Sequence, residues 1–261
     1  MKKLALTSLL AVFAVSGAHA ANVIDGNPLY LPGAGHFYSV STLGSHTGSE
    51  EIKAIVAGEE FGYGITDKLA INVSTALWEY DTFDNLGWDD MNFAAAYRVL
   101  DMGAWKADLI GAYGVGPVWE DHSPFLDKDL TRYSWTAGVR GGYVASNWTL
   151  AGHAYFTYAN TESFNWNDEG MHVWALGLDG QYVLDSHWSA LAGLEYTGLT
   201  DSWAKNAGEL EATVGVNYNI DATKFVGVFV SAEADHHGGD SHDEWKAENG
   251  FGFGAKFGID F

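Results

Sequence analysis

The chain has 261 residues, 34 acidic against 13 basic side chains, a formal charge of −21, no cysteine, 32 glycines and 15% aromatic residues. That balance argues against nucleic acid and other polyanions as partners, and the lack of cysteine excludes a disulfide framework, a thiolate metal site and a cysteine nucleophile. Many glycines and rings with only 4 prolines fit glycine-relieved strands that carry interfacial aromatics.

At the start, Lys2 and Lys3 precede an apolar run from Leu4 to Val15 and the small-residue stretch Ser16-Gly17-Ala18-His19-Ala20. This order predicts a signal peptide over 1–20, cleaved after Ala20, and a single domain over 21–261. Loss of the two lysines takes the formal charge from −21 to −23. The run is too short to span a bilayer as a helix, and nowhere else are there about 18–20 consecutive apolar residues. Export without such a helix leaves the periplasm, the outer membrane or the medium.

Beyond the leader, alternation of apolar and polar residues predicts twelve strands, over 35–44, 50–65, 69–80, 90–99, 104–118, 131–144, 147–160, 171–183, 187–200, 208–219, 223–234 and 249–261. Alternate residues point to opposite faces of a strand. The pattern is clear where Leu210, Ala212, Val214, Val216 and Tyr218 alternate with Glu209, Glu211, Thr213 and Asn217. The stretch 50–65 is irregular, because Glu59 and Glu60 are adjacent and one must face outward unless a bulge intervenes. Short turns near residues 66–68, 100–104, 146–147, 185–187 and 220–222 alternate with longer polar connections, the asymmetry of a membrane barrel with short periplasmic turns and longer extracellular loops. Trp78, Trp105, Trp119, Trp148, Trp188 and Tyr158 lie near strand ends, where rings anchor at headgroup level.

The final strand sets Phe251, Phe253, Ala255, Phe257, Ile259 and Phe261 against glycines, Lys256 and Asp260. It resembles the insertion signal of Gram-negative outer-membrane barrels, carried here by Phe257, Ile259 and Phe261. That resemblance implies the outer-membrane assembly machinery as a partner, with membrane lipid and lipopolysaccharide around the barrel. The expected fold is an all-β transmembrane antiparallel barrel of about 12 strands, with longer acidic extracellular loops. A soluble sandwich or lipocalin-like barrel is the alternative, and it accounts less well for so many apolar outer residues.

Phe61-Gly62-Tyr63-Gly64-Ile65-Thr66-Asp67-Lys68-Leu69-Ala70-Ile71-Asn72, followed by Gly87-Trp88-Asp89-Asp90 and Ala96-Tyr97-Arg98, resembles the outer-membrane family labelled "MetA-pathway of phenol degradation". Members show a Y-G-[LI]-T-D-[KR]-L turn and later K-Y-R, where Ala96 here replaces Lys. The match spans about forty residues, and it implies a transporter-like barrel.

Placing the polar face inward puts Arg98, Lys106, Asp108, Arg132 and Arg140 on one side of the lumen and Asp179, Glu195, Glu209 and Glu211 on the other, a transverse field acting on ions and dipolar solutes. Acidic loops, such as that with Asp81, Asp84, Asp89 and Asp90, would attract cations to the mouth. The expected function is a channel for passive diffusion of small solutes, preferring cations and needing no cofactor. One alternative is a channel for hydrophobic molecules collected by Phe83, Trp88, Phe125, Phe164 and Trp166; another is a closed barrel binding partners through its loops. His236, His237 and His242, among carboxylates, form a weakly specified metal candidate. No G-x-S-x-G or H-x-S-N segment is present, and Ser45-His46 and His122-Ser123 are chance neighbours rather than parts of a hydrolase triad, so no enzyme is expected.

Overall fold

The computed structural model describes residues 27–47, 53–80, 85–88, 91–116, 132–160, 171–200, 208–236 and 250–261. The predicted leader, the acidic loops, Phe83, Phe125, Phe164 and Trp166, and the side chains of Trp88, His236, His237 and His242 lie outside what is described. Thirteen strands run in chain order: β1 Phe37–Thr47, β2 Lys53–Thr66, β3 Leu69–Tyr80, β4 Asn85–Trp88, β5 Met91–Met102, β6 Trp105–Gly116, β7 Arg132–Val144, β8 Trp148–Ala159, β9 Met171–Val183, β10 Trp188–Leu199, β11 Gly208–Asp221, β12 Lys224–His236 and β13 Gly250–Asp260. Twelve form a closed antiparallel barrel: each pairs with its sequence neighbour, β3 with β5, and β1 with β13. The short β4 pairs only with the far end of β3, so the loop expected at 81–89 contains a strand that an alternation of four residues does not announce.

The strand ends fall within a few residues of expectation because the outer face is consistent. Leu43, Phe61, Phe93, Trp135, Leu150, Leu176, Val214, Val228 and Phe253 are all outward and exposed, whereas the intervening positions are mostly small or polar, with Val40, Val173 and Phe225 among the apolar ones. Water would not tolerate such a belt, and a bilayer matches it. Rings gather at both rims. At the short-turn end Tyr143 lies between Trp105 and Trp148, with centroids 5.1 and 5.3 Å away, and Trp188 meets Tyr218 at 4.8 Å. At the other end Tyr113 meets Trp135 and Trp174 meets Tyr196.

The turns are closed by side chains. Asp185 accepts from the amides of His187 and Trp188 at 2.7 and 2.9 Å, and these donors hold its carboxyl below the usual carboxylate range. Three register shifts, at Gly64/Thr66, Arg98/Leu100 and Asn219/Asp221, all lie at the short-turn rim, where a bulge bends the strand end. No bulge separates Glu59 from Glu60; register with β1 runs unbroken there. Glu60 therefore turns inward and is 5% exposed, while Glu59 shares the outer face with Ser39 and Ser41.

Candidate functional site

The lumen has three levels. At the short-turn end, Arg98 and Arg140 flank Asp108 as cross-strand neighbours on β5, β6 and β7. Arg98 Nε donates to Asp108 Oδ1 at 2.8 Å and Arg140 Nε to Oδ2 at 2.7 Å, with all three side chains buried. Two guanidinium forks on one carboxylate satisfy both of its oxygens, the geometry that makes a buried ion pair tolerable. Each guanidinium has a further partner: Arg98 donates to the Leu29 carbonyl at 2.5 Å and Arg140 to the Tyr30 carbonyl at 2.9 Å.

Those carbonyls belong to residues 27–36, a strandless segment tucked into the barrel mouth. Leu29 is 1% exposed, and the Tyr30 hydroxyl donates to Asp260 at 2.8 Å. The segment is tied to the wall by reciprocal bonds, Gly35 N to Gly64 O and Gly64 N to His36 O. It passes so close that a Cβ on Gly64 would run into the Gly33 carbonyl, and Gly35 takes a φ of 83°. Nothing in the alternation predicts this segment. Its trace in the sequence is Leu29-Tyr30-Leu31-Pro32, apolar residues without a strand period.

At mid-height, Tyr38 donates to Glu60 at 2.5 Å and Asn72 donates to the same carboxylate at 3.3 Å. His153 lies between two carboxylates, Nδ1 at 3.0 Å from Asp179 and Nε2 at 2.7 Å from Glu195. Lys256 sits 4.8 Å over the Phe229 ring, a cation–π contact. A cavity of about 80 Å³ remains here, lined by Asn, Ser and Thr side chains, by apolar residues such as Ile110 and Val173, and by Glu60 and Glu195. At the long-loop end, Glu209, Glu211 and Glu233 bring carboxylate oxygens within 4.8 Å of one another; Glu211 and Glu233 are register partners on β11 and β12. Of the described residues, these three are the group able to hold a divalent cation.

The residues named from sequence thus separate into groups. Arg98, Asp108 and Arg140 come together; Asp179 and Glu195 meet through His153; Glu209 and Glu211 meet through Glu233. Lys106 instead bridges Asp101 at the rim, at 3.0 Å. Arg132 opens β7 opposite Gly116, and its side chain is outside what is described. Arg98 and Arg140 take as partner Asp108, a carboxylate on the strand between theirs. Sequence reading missed Leu29, Tyr30, Glu60 and Glu233 as lumen groups.

No family model matches the sequence, so the resemblance to the phenol-degradation family is not confirmed, and no curated protein matches. Solved structures do. The NanC porin superposes with a TM-score of 0.61 at 10% identity, covering 84% of this chain and 98% of that one. The COG4313 outer membrane channel from Pseudomonas putida F1 gives 0.61 at 15% identity, covering 88% and 97%. The KdgM porin gives 0.55 at 9% identity, covering 84% and 98%, and has also been solved in complex with disordered oligogalacturonate. At such identities the likeness is one of fold: this chain is a 12-stranded β-barrel of the outer-membrane type.

Proposed function

We propose that the protein is an outer-membrane channel for passive diffusion of small polar solutes, preferring cations. The observation that carries this is the sign of the lumen beyond its short-turn end. Glu60, Asp179, Glu195, Glu209, Glu211 and Glu233 face inward there, and among the described residues Lys256 is the inward ammonium at that level, with the His153 imidazole held between Asp179 and Glu195. Low-dielectric walls focus such a field along the pore, so small cations concentrate and anions are repelled. The same field disfavours a uronate like the one found with the KdgM porin. The 80 Å³ cavity at mid-height is of a size for ions and small solutes. Asn72, Ser74 and Thr136 on its wall offer neutral hydrogen bonds in place of hydration.

Surrounding lipid and lipopolysaccharide, and the assembly machinery that inserts barrels, are the remaining partners in this reading. The fold is shared with porins and channels, which supports transport over catalysis. Single-channel recording in a planar bilayer under a KCl gradient tests the proposal. Discrete conductance steps with a cation-favouring reversal potential are expected. A folded barrel that is silent, or one that favours chloride, contradicts it.

A further inference from the structure

The mid-height cavity has two acidic ends and an apolar flank. Glu60 on β2 and Glu195 on β10 both line it, and no lysine, arginine or histidine among the described residues does. Round the barrel, β1, β13, β12 and β11 stand between β2 and β10 on one side, and β3 and β5 to β9 on the other, so the two carboxylates enter from opposite walls. Each is held by its own neighbours. Tyr38 and Asn72 both donate to Oε1 of Glu60, and among the described residues no donor reaches Oε2. On the other wall, Nε2 of His153 fixes Glu195 while Nδ1 meets Asp179. The imidazole crosses β9 at Gly177, where a Cβ would run into the ring. The apolar flank is made by Ile110 and Ala112 on β6 and by Val173 and Ala175 on β9.

We propose that this cavity binds a short linear α,ω-diamine in its doubly protonated form, one ammonium on Glu60 and the other on Glu195. The proposal rests on the reading of the lumen as a cation pathway and names the solute class. An ammonium brings three donors and no acceptor, and each end supplies acceptors: Ser74 is the register partner of Glu60, and Thr197 stands beside Glu195 on the same face of β10. Hydrogen bonds between ionised partners are the strong ones. The methylene stem lies against the apolar flank, from which a bare metal ion gains nothing. A monoamine leaves one carboxylate without its counterion, and a volume of about 80 Å³ admits no long chain.

Titration calorimetry on the full chain folded in detergent, at neutral pH, tests this without requiring conduction. The ligands are 1,3-diaminopropane, propylamine and 1,3-propanediol. The diamine is expected to bind at least about tenfold more tightly than propylamine, the effect of a second charge-assisted hydrogen bond, and the diol not to bind. E60Q and E195Q, each checked for folding by heat-modifiable migration, should bring the diamine down to the affinity of the monoamine, whereas E209Q/E211Q/E233Q should keep the preference. Equal binding of the two amines to the unaltered protein overturns the proposal, and that comparison needs no variant to fold. A preference that survives E60Q and E195Q but vanishes in E209Q/E211Q/E233Q also overturns it, because the long-loop carboxylates would then hold the dication. A barrel that prefers the diamine yet passes no current supports the site and contradicts the channel reading; one that conducts cations without preferring the diamine does the reverse.

Discussion

At the short-turn end of the lumen, Arg98 and Arg140 share Asp108 and are capped by the carbonyls of Leu29 and Tyr30. At the long-loop end, Glu209, Glu211 and Glu233 crowd together. The first region sets charges of both signs one strand apart, two guanidiniums to one carboxylate for a net +1, and the arginines' remaining donors hold the chain that covers them. The second keeps charge of one sign in a confined space. A network with closely matched donors and acceptors builds structure, whereas an excess of one sign builds a field. The barrel therefore separates what holds its periplasmic mouth from what acts on a solute.

The sharpest way to break the first region is D108A. It leaves two guanidiniums buried against each other, and removal of one partner from a buried pair costs about 3–5 kcal/mol. The midpoint of heat-modifiable migration should fall accordingly, and the freed segment should raise conductance. A smaller effect is expected from G64V, whose side chain meets the Gly33 and Pro32 carbonyls. Overpacking of this kind costs about 1–3 kcal/mol, and because it displaces residues 27–36 while leaving the Arg98–Asp108–Arg140 ion pairs in place, higher conductance with unchanged ion preference is the outcome to look for in single-channel records. Smallest is Y30F, which removes one hydroxyl donor to Asp260. A loss of about 1.5–3 kcal/mol is the upper range for a bond to a charged group, and a partly exposed site should lie at or below its lower end. If Y30F destabilises as much as D108A, the arginine pair is not what fastens the segment.

How far the sequence reveals these two regions differs for physical reasons. Strands announce themselves by a period of two, and the belt residues from Phe93 to Phe253 repeat it without conflict, so the barrel and its closure are legible. The inward side of Arg98, Asp108, Arg140, Glu209 and Glu211 is legible by the same rule. Their partners are not, because a partner depends on register. Asp108 lies between the two arginines only once the turn between β5 and β6, with Gly103 at a φ of 68°, and the Arg98/Leu100 bulge fix which residues stand opposite. Adjacent-strand contact then takes precedence over attraction across the lumen. The segment 27–36 has no period to read, since its backbone bonds go to turns, the Gly64 strand edge and arginine side chains. Glu59 and Glu60 mark the opposite case: the sequence poses the conflict, and the structure resolves it by hydroxyl donors on the outer wall rather than by a bulge.

The most direct test of the account compares reversal potentials under a KCl gradient for the unaltered protein and for E209Q/E211Q/E233Q, which retains side-chain volume and removes the three charges. The account predicts a cation-favouring potential in the unaltered channel that moves toward zero in the variant, with little change in the heat-modification midpoint. An unaltered potential in the variant would show that the long-loop carboxylates do not set ion preference and would contradict the central claim.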